Sequence, residues 1–460
     1  MKSILAYIRR KPSVISIILI CLTITEVHLN LEKYRSKSVI VWDAIGYYCY
    51  LPATIINKDV KLSFINATNK QNYQGIKYVY VDDKNGNHVI KYSMGMAVLY
   101  APFFLTAHAL AGPLDYNPDG YSEIYHFFIE FSGLFYVLFG FIYLRKLLLL
   151  YYSEKITTIS IFVIFFGTNL LCYSTVEPVM SHSYTFSLFS IFLYCIIKYY
   201  QNPKTKYIIA LSVLLGLIIL IRPINLLFAV AIVLIGINNR QELKDRFFFF
   251  IKHYKQAILF FCLTFLVISP QLLYWKYVTG HYLAFSYGKE GFFFGHPHIL
   301  DCLFSFRNSW LIYSPLFLFV FPGLYLIRKQ SAKGFYTIHL ILLPLYFYIV
   351  ASWWCWWYGG SFGLRPMIDI YPLLIFPLAA CFYKISILHK TKTRIWFGVV
   401  SLFVVLNIYQ TFQYKYRIIH FDAMTFKSYM NAFGKMDKKD IDVSLLHSPD
   451  YEKAVNGLDE

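Results

Sequence analysis

The stretch SVIVWDAIGYYCYLPA, residues 38–53, decides how the rest of the chain is read. It follows a first apolar run, residues 12–31, and sets one carboxylate, Asp43, just ahead of Tyr47, Tyr48 and Tyr50. Tyrosine rings concentrate where hydrocarbon meets water. An acid beside them reads in two ways: an ordinary loop aspartate among interface tyrosines, or a catalytic base held at a membrane surface.

The composition supplies the context. The 460 residues are 58% hydrophobic, 20% aromatic and only 15% charged. Soluble domains are about 45–50% apolar and about 25% charged. Apolar stretches of about 20 residues, enough to cross about 30 Å of hydrocarbon, recur along the chain. The expected fold is therefore an all-α polytopic membrane protein of about eleven transmembrane helices, or twelve. The formal charge of +18 needs no nucleic acid, because the lysines and arginines fall in short loops between apolar segments. None of the eight cysteines forms a CxxC pair, and their spacing suggests no disulfide framework.

Basic loops at Arg145/Lys146/Lys155, Lys198/Lys204/Lys206, Arg240/Lys244/Arg246, Arg328/Lys329/Lys333 and Lys390/Lys392/Arg394 alternate with loops that are not basic. The positive-inside rule puts the first set in the cytoplasm. The outer face then carries loops at about 32–91, 276–308 and 353–366. The first of these has enough apolar and aromatic content for helices lying in the interface. Its Asn85-Gly86 pair predicts a small hairpin between residues 77–81 and 88–91. One difficulty of parity arises. The Asp43 loop and the loop at 112–124 both come out external, with a single apolar segment, 92–111, between them. Pro102 and Gly95 suit a re-entrant or interfacial segment there. Residues 1–412 make up the membrane domain and 413–460 a polar tail.

Ionisable groups in or at a membrane are costly, so those on the outer face are functional candidates. They are Asp43, Glu177, His182, Arg222, Lys289, Glu290, His296, His298, Arg365 and Asp369. Two histidines in a Gly/Pro loop, His296 and His298, are weak evidence for a metal, and no metal site is assigned. The stretch WWCWWYGGSFGLRPMIDIYP, residues 353–372, joins an aromatic belt to a glycine turn. Arg365 leaves that turn as a fixed cation suited to bidentate contact with a phosphate. Alternatively it pairs with Asp369 four residues on.

Four stretches, WDAIGYYCYLPA, GTNLLCYSTVEPVMSH, LIRPIN and WWYGGSFGLRPMIDIYP, together with the architecture, resemble the polytopic C-type (GT-C) glycosyltransferases. That superfamily includes protein O-mannosyltransferases and lipid A aminoarabinose transferases. The resemblance covers about residues 12–412. Two positions differ: Tyr92-Ser93-Met94-Gly95 stands where the family commonly has His-Pro-Pro, and Glu177 stands where Asp is more usual. The resemblance implies transfer of a sugar from a polyprenyl-phosphate-linked donor to a lipid, glycan or protein acceptor. It implies Asp43 and Glu177 as the catalytic carboxylates. Tyr47, Tyr48, His182, Arg222, Lys289, Trp357, Tyr358 and Arg365 are expected to bind substrate. The cofactor stays open, with a divalent cation as the one candidate. The expected setting is a bacterial cytoplasmic membrane, working face outward. A lipid-linked saccharide flippase is the competing class, and a membrane subunit without activity is another. A flippase predicts mid-span polar residues and repeated halves; the sequence has no such repeat, and its suspect charges gather at one face.

Overall fold

The structure is a computed structural model that describes residues 11–67, 79–83 and 86–458. Helix α1, Pro12–Leu31, opens with proline in its first turn, where a missing N–H costs nothing. Two short helices follow, α2 (Asp43–Tyr48) and α3 (Tyr50–Ile55). Strands β1 (Tyr80–Asp82) and β2 (His88–Ile90) pair antiparallel, with Val81 opposite Val89. This is the hairpin expected from Asn85-Gly86; Asn85 and residues 77–78 lie outside the described residues.

Beyond the hairpin run α4 (Gly95–Ala111), α5 (Glu123–Leu148), α6 (Glu154–Phe166), α7 (Leu170–Thr175), α8 (Ser181–Gln201), α9 (Thr205–Ile221) and α10 (Val230–Leu234). Then come α11 (Arg240–Lys252), α12 (Tyr254–Thr279), α13 (Ile299–Phe304), α14 (Trp310–Tyr313) and α15 (Val320–Ile327). The chain ends in α16 (Tyr336–Ala351), α17 (Tyr371–Ser386), α18 (Lys390–Lys415), α19 (Phe426–Ala432) and α20 (Tyr451–Val455). It is an all-α polytopic membrane protein. Among the described residues, seven helical segments are long and apolar enough to cross a membrane. Two apolar runs do not form single continuous helices. Gly167–Asn169 separates α6 from α7, and Arg222-Pro223 ends α9. A break of this kind is sustainable in a membrane only where neighbours satisfy the freed backbone groups. Here the Ser314 hydroxyl takes the Asn169 N–H at 3.1 Å.

Both ends of α4 rest on the first loop. At its entry, Tyr92 contacts Asp43 and its carbonyl accepts from the Tyr50 hydroxyl at 2.7 Å. Past its exit, the Gly120 carbonyl accepts from the Tyr48 hydroxyl, and Gly120 sits on Pro52 and Ile56. The chain therefore enters and leaves α4 against the same segment. Helices α2 and α3 pack into the rest of the protein. Tyr47, Tyr48, Tyr50, Leu51 and Ala53 are all buried.

The segment after α18 folds back onto the loops. The Tyr451 ring packs on Trp357 at 5.4 Å, Phe426 packs on Phe306 at 5.2 Å, and the Arg307 guanidinium donates to the His447 carbonyl at 3.1 Å.

Close approach at Gly95 brings the start of α4 onto the end of α9. A Cβ there would lie 2.3 Å from the Ile221 backbone nitrogen and 2.4 Å from the Leu220 carbonyl carbon. Small residues let membrane helices approach this closely. Gly95→Ala is expected to cost about 1–3 kcal/mol, as overpacking does, and to lower the melting temperature in detergent. Gly398, with nothing within 4 Å of its Cβ position, is the control. Gly398→Ala should hold or raise that temperature, since alanine gains about 0.5–1 kcal/mol in a helix.

Candidate functional site

Asp43 begins α2, directly after Trp42, whose backbone has a positive φ of 52° and whose ring is exposed. Its partners come from two distant parts of the chain. Oδ2 accepts from Nη2 of Arg365 at 2.9 Å, and Oδ1 accepts from the Tyr92 hydroxyl at 2.7 Å. The Asp43 side chain keeps 27% of its exposure and that of Arg365 only 13%. Burial works against the Asp43 charge. Arg365, the Tyr92 hydroxyl and Lys91 outweigh it and hold the carboxyl below its usual range. The group is thus ionised at neutral pH. Its ion pair is lost only as the pH falls through that depressed value.

Tyr92 is clamped from α12 and the following loop. The Tyr274 hydroxyl accepts from the Ile90 N–H at 2.9 Å, Gln271 Oε1 from the Met94 N–H at 2.8 Å, and the Ser286 hydroxyl donates to the Lys91 carbonyl at 2.6 Å. Lys91 pairs with Glu290. The Tyr47 and Tyr92 rings lie 4.6 Å apart, and Tyr287 meets Tyr92 at 6.1 Å, forming an aromatic wall beside Asp43. Burial and the Asp43 charge push the Tyr47 hydroxyl up to about 12, with Arg365 and Arg222 opposing.

Arg365 opens a 3-10 turn, Arg365–Ile370. The glycine loop before it turns through positive φ at Gly359 (63°) and Gly363 (62°), a region open to glycine at little cost. Asn169 and Tyr173 anchor that loop. Asn169 donates to the Phe362 carbonyl at 3.2 Å, and the Tyr173 hydroxyl accepts from the Phe362 N–H at 3.0 Å. Arg365 does not pair with Asp369. Among the described residues its buried Nε has no hydrogen-bond partner.

Asp369, on the same turn and fully buried, centres a second cluster. Oδ1 lies 2.8 Å from His182 Nδ1. Around Oδ2 stand the Tyr346 hydroxyl at 3.2 Å, Asn225 Nδ2 at 3.4 Å and Arg222 Nη1 at 3.8 Å. Arg222 lies over the Tyr358 ring at 5.9 Å. The two clusters meet at Tyr47, whose hydroxyl is 3.4 Å from that of Ser181, the neighbour of His182.

Of the residues expected from sequence, Asp43, Tyr47, His182, Arg222, Tyr358 and Arg365 therefore converge. Others stand apart. Glu177 pairs with Lys33 at 3.5 Å. Tyr48 turns toward Gly120 and packs on Phe104. Lys289 is exposed, and Trp357 is buried beneath Arg307 and Tyr451. Tyr92, Lys91, Asn169, Tyr173 and Tyr346 line the same clusters without having been expected to bind substrate; one signal was a polar Asn169 inside an apolar run. Among the described residues no three His, Cys, Asp or Glu side chains converge to hold a metal ion. Each oxygen of Asp43 accepts one hydrogen bond, from Arg365 and from Tyr92.

No protein-family model matches the chain, and no curated protein matches it. Among solved structures, it is similar to the archaeal oligosaccharyltransferase AglB from Archaeoglobus fulgidus in complex with an inhibitory peptide and a dolichol-phosphate. That alignment has a TM-score of 0.50 at 10% identity and covers 89% of this chain and 56% of that one. The apo form of the Archaeoglobus fulgidus oligosaccharyltransferase aligns with a TM-score of 0.49 at 11% identity, over 88% and 55%. The chain thus spans little more than half the length of these neighbours, and what it shares with AglB at such identity is the fold of a polytopic membrane protein.

Proposed function

We propose that this protein is a membrane glycosyltransferase. It moves a sugar from a polyprenyl-phosphate-linked donor to an acceptor hydroxyl on a lipid, glycan or protein, at the outer face of a bacterial cytoplasmic membrane. The observation that carries this reading is the state of Arg365. Nη2 of its guanidinium holds Asp43, while among the described residues the buried Nε has no hydrogen-bond partner. A buried donor without a partner costs about 1–3 kcal/mol, and an anionic oxygen at Nε removes the cost. Arginine is suited to phosphate through its planar fork. Arg222, near the same tyrosines, adds a second cation. The fold likeness to an oligosaccharyltransferase whose complex holds a dolichol-phosphate points to the same ligand chemistry. So does the resemblance to GT-C enzymes. In this reading the arginines stabilise the departing lipid phosphate, the aromatic wall of Tyr47, Tyr92 and Tyr287 faces sugar or isoprenoid, and Asp43 orients the acceptor hydroxyl.

Three experiments test it. Purified protein in proteoliposomes, given radiolabelled polyprenyl-phosphate sugar and candidate acceptors, should transfer label. Asp43→Asn should lower that transfer by about 10²-fold, the scale of a misplaced reacting group, while the protein stays folded and binds donor. Activity within about tenfold of wild type, below that scale, removes Asp43 from the mechanism.

Donor binding measured on Arg365 variants separates phosphate recognition from packing. Arg365→Ala should weaken binding more than Arg365→Lys, since lysine keeps the charge and loses the fork. Equal, wild-type affinity in both variants makes Arg365 a purely structural partner of Asp43.

The face is read by labelling. In a Cys262→Ser background, which removes an exposed native thiol, Trp42→Cys should react with an impermeant thiol reagent added outside intact cells. Labelling only after the membrane is opened reverses the orientation.

A further inference from the structure

We infer that Asp369 is a positioning residue that fixes His182 as the proton acceptor for the acceptor hydroxyl; this rests on the glycosyl-transfer reading above. Two carboxylates stand in the site, and their surroundings divide the work. Asp43 has one oxygen on Arg365 and the other on the Tyr92 hydroxyl. A carboxylate bonded in this way is stabilised as the anion and is a weak base. It orients well and takes up a proton poorly.

The His182–Asp369 pair has the opposite character. Asp369 is fully buried and its Oδ2 side is surrounded by Tyr346, Asn225 and Arg222, so Oδ1 is directed at His182 Nδ1, 2.8 Å away. A carboxylate accepts, so Nδ1 carries the ring proton and Nε2 carries the lone pair. Nε2 has no hydrogen bond among the described residues, whose two contacts to this ring both fall on Nδ1. An imidazole held in one tautomer by a carboxylate, with the other nitrogen bare, is the arrangement general-base catalysis requires. His182 and Tyr47 share Arg222 and Arg365 as charged neighbours, and the hydroxyl of Ser181, next to His182 in sequence, lies 3.4 Å from that of Tyr47.

The step balances. The acceptor O–H proton passes to His182 Nε2, and the oxygen forms the bond to the anomeric carbon. The bond from that carbon to the phosphate oxygen breaks, and its electron pair leaves on the phosphate, facing Arg365 and Arg222. The imidazolium is matched by the Asp369 charge until its proton passes to the released phosphate.

The test is transfer rate against pH, from neutrality well into the acid range, in proteoliposomes with radiolabelled polyprenyl-phosphate sugar. Groups that face His182 and set its response are Asp369, Arg222 and Arg365, with the hydroxyls of Tyr173, Tyr346 and, through Ser181, Tyr47. The wild-type rate should fall on the acid side as one group takes up a proton. His182→Gln and His182→Asn should lose about 10²–10⁴-fold in turnover, retain donor binding and lose that limb. Asp369→Asn removes the counter-charge of the imidazolium, so the limb should move to lower pH. A merely structural Asp369 leaves it in place. Asp43→Asn should lower the rate with the limb unmoved. If the histidine variants stay within tenfold of wild type, or if the limb vanishes in Asp43→Asn and survives in His182→Gln, the dyad is overturned while glycosyl transfer stands. A wild-type protein that transfers no label overturns both.

Discussion

The ion pair between Asp43 and Arg365 is the contact on which the site depends. Its members are 322 residues apart, one on the first loop and one on the turn before α17. Removing one partner of a largely buried pair leaves a charge that costs about 3–5 kcal/mol. The pair therefore disciplines everything around it. The hairpin must deliver Tyr92 to the second oxygen, and α12 must hold the chain at Ile90 and Met94 for that to happen. On the other side, Asn169 and Tyr173 must hold the backbone at Phe362 so that Arg365 emerges at the right height. Helices α6 and α7 break between Gly167 and Asn169, and the break puts those two side chains in place.

Much of the fold was legible because hydrocarbon is an unforgiving solvent. Residues 12–31 were readable as a helix from apolar length alone, and α1 occupies those bounds. The hairpin was readable because a tight turn between two strand-like runs has few alternatives. The break at Gly167–Asn169 was less so. Hydropathy does not register a polar residue such as Asn169 that is paid for by a neighbour distant in sequence.

The site was legible residue by residue and illegible in its pairing. Its charges were conspicuous because membranes make charges rare. Arg365 and Asp369 have helix-like spacing, which suggests a local pair, yet each takes a partner from elsewhere: Asp43 for the arginine, His182 for the aspartate. Local spacing competes poorly with a buried partner of better geometry. Glu177 likewise carries the right charge in a suitable loop and is drawn to Lys33. Trp357 sits in an aromatic run with an interface signature, yet its ring is covered by the chain's last fifty or so residues, about which hydropathy says nothing.

Charge neutrality constrains how such a site can work. Two guanidiniums, Arg365 and Arg222, stand near two carboxylates, Asp43 and Asp369. Without a ligand the set is balanced. In the proposed reaction a donor phosphate beside Arg365 adds negative charge next to Asp43. The arginine is then shared between two anions, and the like charge of the phosphate raises the proton affinity of Asp43. Asp43 gives up part of its hold on the cation and becomes a better acceptor of a hydrogen bond from an incoming hydroxyl. Donor binding thus prepares the acceptor position in the proposed reaction. Asp369, buried and saturated by four groups, is shielded from that change, so the histidine it holds keeps its tautomer while the other half of the site rearranges.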